Sequence, residues 1–404
     1  MKRRSVVVSA FTAEASLKRK VRSHLRKLGF AKAEDGSLLP PSSSKDTIRA
    51  LHQDQRRALL TSQRDFIQRA LPQLSKYFAN GDEIDPAKIS PRIELIDAST
   101  WQSDLFRLAS LLWSVPVSLG FGRRMRYLVW DDNNAKLIGI IALGDPVFNL
   151  KVRDELVGWN VKDRAKRLVN ILDAYVLGAV PPYNLLLGGK LVACLVRSSE
   201  VRDDFVKRYG DTRGIISGRK KSARLVMVTT SSSLGRSSVY NRLKLDGQSY
   251  LTSLGYTQGW GHFHIPNSLF SELRAYLRKK KHKYVDGHKF GKGPNWRLRT
   301  IRVAFDALGF KPNLLRHGIG REVFVSHLAG NATNILKGKA KRATYGNLKT
   351  VAEIGALARE RWMVPRALIR PEFKAWSRDE LAILLAVQRS RIDADVPAVK
   401  VTRK

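Results

Sequence analysis

Ser222-Ala-Arg-Leu-Val-Met-Val-Thr-Thr-Ser-Ser-Ser-Leu-Gly-Arg-Ser-Ser-Val-Tyr-Asn-Arg-Leu243 carries three signals in succession. The apolar, β-branched run from Leu225 to Thr230 has the length and composition of a buried strand. Ser231 to Ser238 reads as a polar turn, and Val239, Tyr240 and Leu243 fall at helical spacing. A strand, a turn and a helix start imply an α/β (α+β) architecture. They also gather backbone N–H groups and a positive helix end at one place, where an anion is stabilised. The expectation is phosphate contact by Arg236, Ser237, Ser238, Asn241 and Arg242. A solvated turn with a serine helix cap would leave the same pattern.

Upstream of this stretch, Tyr175 to Val180 forms another strand, stopped by Pro181-Pro182. Gly188-Gly-Lys190, an apolar run from Leu191 to Val196 and a charged helix over 199–209 follow it. Asn160 caps a helix through Leu172. Arg126 to Trp130 and Leu137 to Leu143 flank Asp131-Asp-Asn-Asn134 and form a hairpin. Ile93 to Ile96 is a short strand and Trp101 to Trp113 a helix. Downstream, His262-Phe-His-Ile265 reads as a strand, Asn267 begins a helix that runs into Arg278-Lys-Lys-Lys-His-Lys283, and Arg321 to Leu328 is strand-like.

Both ends read differently. Residues 12–29 make a basic amphipathic helix around Leu17, Val21, Leu25 and Leu28. Ala31 to Ser44 is a linker by composition, and a helical stretch from Lys45 should bend or end at Pro72. Pro294 opens a helix with Ile301 and Phe305, and Ser377-Arg-Asp-Glu380 has the form of a capping box. The division expected is a basic helical arm with a linker over 1–89, a central mixed-sheet α/β domain over 90–283, and a mainly helical region over 284–404.

Charge narrows the function. The 404 residues carry 73 Lys+Arg against 35 Asp+Glu, a net charge of +38. A protein that sits on polyphosphate gains affinity by counterion release, whereas an enzyme of small neutral metabolites has no use for such self-repulsion. Nucleic acid, with DNA first, is the expected partner. Arg219, Lys220 and Lys221 form one basic loop. Lys279, Lys280, Lys281 and Lys283, followed by Tyr284, His288 and Phe290, combine phosphate contact with stacking. A solvated helix end gives a similar charge run.

Other chemistries leave no signature. The single cysteine, Cys194, excludes an internal disulfide and sits in an apolar run, as a core residue does. His262, His264, His317 and His327 lack metal-ligand spacing and read as structural, so no metal and no cofactor is expected. Asp131, Asp132, Asp203 and Asp204 read as turn and surface residues, and no Gly-x-x-x-x-Gly-Lys-Ser/Thr loop or nucleophile elbow is present. No apolar run approaches the roughly 20 residues that span a bilayer, and the N-terminus is too short in apolar residues for a signal peptide, which points to the cytoplasm without membrane association.

Seven blocks resemble the Druantia DruA family of anti-phage proteins. They are Ile48-Arg-Ala-Leu-His52, Leu156-Val-Gly-Trp159, Pro182-Tyr-Asn184 with Gly188-Gly-Lys190, Thr230-Ser231, Gly235-Arg-Ser-Ser-Val-Tyr-Asn-Arg-Leu243, Gly259-Trp-Gly261 and Gly320-Arg-Glu-Val323. This resemblance implies a role in defence against bacteriophage beside a large helicase-like partner. The order of hairpin, strand, glycine turn, helix and strand also resembles the Gcn5-related acyltransferase fold. That likeness implies a cofactor site at Gly188, Gly189 and Lys190 and a general acid at Tyr240, borne on a helix. The three defined positions of that fold's turn fall on Leu185, Gly188 and Lys190, and only Gly188 conforms. Three functions stay open: a nucleic-acid-binding component of a defence system, an acyltransferase-like enzyme modifying a nucleobase or protein, and an assembly scaffold for the helicase.

Overall fold

The computed structural model of the chain describes residues 12–120, 122–213, 218, 220–282, 285 and 296–387. The expected strand at Leu225 to Thr230 lies near the middle of one mixed sheet of seven strands. These are β1 (Pro91–Leu95), β2 (Arg124–Asp131), β3 (Lys136–Gly144), β4 (Ile171–Ala179), β5 (Met227–Ser231), β6 (Thr252–Tyr256) and β7 (Glu322–His327), arranged in the order β1-β2-β3-β4-β5-β7-β6. β4 and β5 are parallel, and all other neighbours are antiparallel.

A parallel pair needs a crossover, and the chain between β4 and β5 supplies helices at Gly188–Leu195 and Ser199–Tyr209. In the first, Leu191 to Leu195 are fully buried and pack with Leu172 and Ala174 of β4. Gly188 fits the tight turn that leads into this helix, since a Cβ there would lie 2.6 Å from the Tyr183 carbonyl oxygen.

A second core lies beside the sheet. Four helices matter there: α1 (Ala13–Lys27), α2 (Lys45–Leu51), α3 (Asn267–Lys279) and α4 (Trp296–Ala307). Leu17, Val21 and Leu25 of α1 cluster with Leu269, Leu273 and Leu277 of α3 and with Ile301 and Phe305 of α4, and α2 adds Ile48 and Leu51. The intervening linker holds a short hairpin, Ala31–Lys32 paired with Leu38–Leu39. Pro72 lies in the last turn of the helix Arg64–Leu74. No helix among the described residues is long and apolar enough to cross a membrane.

Four expectations are corrected. The helix expected after Ser231–Ser238 does not form, because the chain turns at Arg242, whose φ is 60°, and enters the hairpin Lys244–Leu245/Gln248–Ser249. His262-Phe-His-Ile265 is a turn, closed by the Ile265 N–H on the His262 carbonyl, and the sheet edge is β6 instead. The helix capped by Asn160 ends at Arg167, and β4 has begun by Ile171. Asp131 lies in its expected turn but is fully buried: its carboxylate accepts from the backbone of Ser90 (2.9 Å) and Asn133 (3.1 Å) and from the Tyr183 hydroxyl (2.8 Å). Burial raises its pKa above the usual carboxylate range against those hydrogen bonds.

Candidate functional site

The β4–β5 pairing covers Ile171↔Met227, Leu172↔Val228 and Asp173↔Thr229 only. Beyond it the two strands part, tied by the Thr230 hydroxyl on the Ala174 carbonyl (2.8 Å) and the Tyr240 hydroxyl on the Leu177 carbonyl (2.9 Å). A cleft of about 1410 Å³ opens along this divergence. Its floor includes Asp173, Tyr175 and Thr230. Segments from both cores wall it: Lys45, Arg49 and His52 from the α2 region, Ser231 to Tyr240, His262 and Phe263, and Arg297 and Arg321.

The turn after β5 is held from below by an acid. Glu322 is buried; its carboxylate accepts from the Ser237 N–H (2.9 Å), from the Asn241 amide (3.1 Å) and from the Ser253 hydroxyl (3.0 Å). The protein's own carboxylate therefore occupies the backbone donor that the sequence assigns to an anion. Ser237 turns its hydroxyl inward, accepting from the N–H groups of Val239 (3.2 Å) and Tyr240 (2.9 Å). Gly235 takes φ 73° where the turn passes Ile48 of α2, a conformation that suits a residue without Cβ. The outcome is a rigid turn that holds Arg236 exposed on the cleft rim, with Ser238 bonded to Lys45 Nζ (2.9 Å).

Titratable groups along the cleft, and His317 packed edge-on to its Phe263, are strongly perturbed. Burial pushes the Asp173 carboxyl up to about 6, while its hydrogen bond from Thr229 Oγ1 (2.7 Å) and the Arg153 charge pull it down. His52 stacks on Phe263 with ring centroids 4.3 Å apart. Burial lowers His52, His262 and His317 to about 4 each, with Arg321 adding to the effect on His52 and His317. Among the described residues no three His, Cys, Asp or Glu side chains converge as metal ligands.

The other expected site residues scatter. Gly189 and Lys190 line the cleft, Gly188 packs against Tyr183, and the Lys190 ammonium lies over the Trp362 ring. Tyr240 is not on a helix; its ring packs edge-on to Phe324 and burial raises its hydroxyl pKa. Asn241 braces the turn, and Arg242 is exposed beyond it. Lys279, Lys280 and Lys281 stand at the C-terminal end of α3, whose other end borders the cleft; 13 helical residues separate the two ends, about 20 Å. Lys220 and Lys221 lie in a strand paired with Asp211–Arg213. Arg219 and Lys283 fall outside the described residues. Sequence reading missed Lys45, Arg49, Asp173 and Arg321; the only signal for Arg321 was its place in the block Gly320-Arg-Glu-Val323.

Comparison with known proteins gives consistent matches. A family model described as Druantia protein DruA matches residues 42–338. The Druantia protein DruA of Escherichia coli (strain UMEA 4076-1) is 58% identical over 377 residues, which cover 93% of each chain. No solved structure matches the chain.

Proposed function

The chain belongs to the Druantia DruA family, and with it to an anti-phage defence system; from that premise we propose that its part is to bind nucleic acid through phosphate contacts at the cleft. One observation carries this reading: Lys45, Arg49, Arg236 and Arg321, from three distant parts of the sequence, line one cleft in a chain of net charge +38. Convergent cations on that background suit a polyphosphate, whose bound counterions they displace. The basic residues at the end of α3 extend the surface for a longer strand. Other Druantia proteins, a large helicase among them, are the proposed neighbours.

A polarisation titration with labelled DNA tests the proposal. Affinity is expected to fall linearly in log–log form as salt rises, with a slope of about 0.9 per phosphate neutralised on duplex or about 0.7 on single strands. Absence of binding at low salt would end this reading.

A second reading has its own support. The strand order with one parallel pair, its divergence after Asp173 and Thr229, and a glycine-led helix in the crossover suit an acyltransferase-like fold. A thermal-shift screen with acyl-CoA compounds addresses it: stabilisation by an acyl-CoA would favour an enzyme, and no shift would remove the cofactor from consideration.

A further inference from the structure

We propose that Arg321 is the phosphate-binding residue of the cleft, its guanidinium receiving the oxyanion of a phosphate group. This rests on the phosphate-binding reading above and narrows it from a basic wall to one side chain.

Arg321 immediately precedes β7, and its backbone is fixed on both sides: its N–H donates to Thr257 Oγ1 (3.0 Å) and its carbonyl accepts from the Thr257 N–H (2.9 Å). Successive residues of a strand point to opposite faces. Glu322 takes one side and is used up in bracing the turn of Arg236. Arg321 takes the other and lines the cleft. Two adjacent residues thus set the turn from beneath and furnish a cation beside it.

That cation has no protein counterpart. Among the described residues the Arg321 guanidinium makes no hydrogen bond and no ion pair, although burial pulls its pKa down. Its charge is felt by His52 and His317, which burial already keeps neutral, so neither of them offsets it. The cleft's carboxylates are engaged elsewhere: Asp54 with Arg57 (3.6 Å), Asp145 with Arg123 (2.7 Å) and Asp173 with Thr229 (2.7 Å). Arg153, which is fully buried, has its guanidinium satisfied within the chain. It donates to Asp154 Oδ1 from Nε (2.9 Å) and Nη2 (2.7 Å), to the Val147 carbonyl from Nη1 (2.9 Å) and to the Phe148 carbonyl from Nη2 (2.9 Å). Arg321 is only partly buried, and no nitrogen of its guanidinium is both shut off from solvent and without a partner. An arginine stays charged in a protein, so this fork is open to the cleft as a free cation. An unpaired guanidinium that lines the cleft and reaches its solvent is placed to receive an anion brought by a ligand. Phosphate suits the planar donor fork, and Arg236 and Lys45 nearby favour a multiply charged group over a lone carboxylate.

The phosphate could belong to a polynucleotide or to a small phosphorylated molecule, and two probes separate these sources. The full chain, Arg321→Gln and Arg321→Lys are titrated with a labelled single-stranded DNA oligonucleotide at several salt concentrations, and with inorganic pyrophosphate by calorimetry. For a polynucleotide, Arg321→Gln should weaken the oligonucleotide about tenfold and lower the log–log slope by about 0.7. Arg321→Lys should keep most of the slope and lose affinity several-fold, because it keeps the charge without the fork. Loss of pyrophosphate binding with the oligonucleotide unaffected would assign the site to a small phosphorylated ligand and still uphold the subsite. The ligand-free thermal midpoint of Arg321→Gln should stay at or above that of the parent chain, since the guanidinium makes no hydrogen bond or ion pair among the described residues that the substitution could break. Unchanged binding of both probes in both variants, or a lower midpoint in Arg321→Gln with unchanged binding in Arg321→Lys, would overturn the proposal. If the parent chain fails to bind the oligonucleotide, the nucleic-acid reading falls, and pyrophosphate alone decides the subsite: binding lost in Arg321→Gln upholds it, and no binding by the parent chain overturns it.

Discussion

Asp173 sits where β4 and β5 part, and its carboxyl is raised to about 6 because burial outweighs the Thr229 hydroxyl and the Arg153 charge. In an unfolded chain an aspartate titrates near 3.9. A folded-state value above the unfolded one means that the charged form opposes folding. The group's stabilising contribution is complete below about pH 4 and is lost as pH rises through about 6. Asp173→Asn keeps an acceptor for Thr229 and removes the charge. It should raise the unfolding free energy by about 1–3 kcal/mol at pH 7.5, and the gain should vanish near pH 4. Urea denaturation of both proteins across that range measures the difference; an equal gain at both ends would rule out this account. His52, His262 and His317 act in the other direction. Their folded-state values near 4 lie below the unfolded value, so the stability that they contribute is intact above about pH 6.5 and is lost as pH falls through about 4. The acid-side loss of stability should therefore be steeper in Asp173→Asn than in the parent chain.

At the scale of elements, the segment from Ser231 to Leu243 shows what spacing can and cannot reveal. Val239, Tyr240 and Leu243 are placed as a helix would place them, yet the left-handed Arg242 and the inward Ser237 hydroxyl make a series of turns that buries Leu243, half-buries Tyr240 and leaves Val239 exposed. Tyr240 becomes a strut across the gap between β4 and β5, with its hydroxyl on the Leu177 carbonyl and its ring on Phe324. Tyr240→Phe keeps the ring and loses the tie. It should cost about 1–2 kcal/mol in denaturant unfolding, with oligonucleotide affinity held within about twofold. A large loss of affinity at unchanged stability would instead give the hydroxyl a direct part in ligand contact. The β2–β3 hairpin, the later part of β4, β5 and β7 were legible because their runs are apolar and β-branched. β6 was not, since Thr252–Tyr256 is a largely exposed edge strand with its register broken between Ser253 and Gly255. Arg236 could be read from its turn. Arg321, Asp173, Lys45 and Arg49 could not, because a sequence shows that a residue is charged but not that a distant fold leaves it facing a cleft.

Across the whole molecule, the cleft lies where two cores meet. The sheet supplies Asp173, Tyr175 and Thr230, while α2, the loop before α3, and Arg297 of α4 stand on the helical core that α1 completes. The turn of Arg236 joins them, with Gly235 against Ile48 and Leu234 packed on the helical core. A lesion in α1, none of whose residues lines the cleft, should then act on the site through packing. Val21 is fully buried at the centre of that helix's apolar face, and its neighbours in the cluster are hydrocarbon. Val21→Asp places a carboxylate there without a partner, a cost of about 3 kcal/mol or more. The helical core should loosen first and the sheet later, so that denaturation followed by tryptophan fluorescence and by far-ultraviolet circular dichroism separates into two steps. Oligonucleotide binding should disappear with the first step, because Lys45, Arg49 and the Ile48 support of the Arg236 turn leave together. If binding in Val21→Asp persisted until the sheet unfolded, the cationic wall would be held by the sheet alone, and the helical core would have no part in assembling the site.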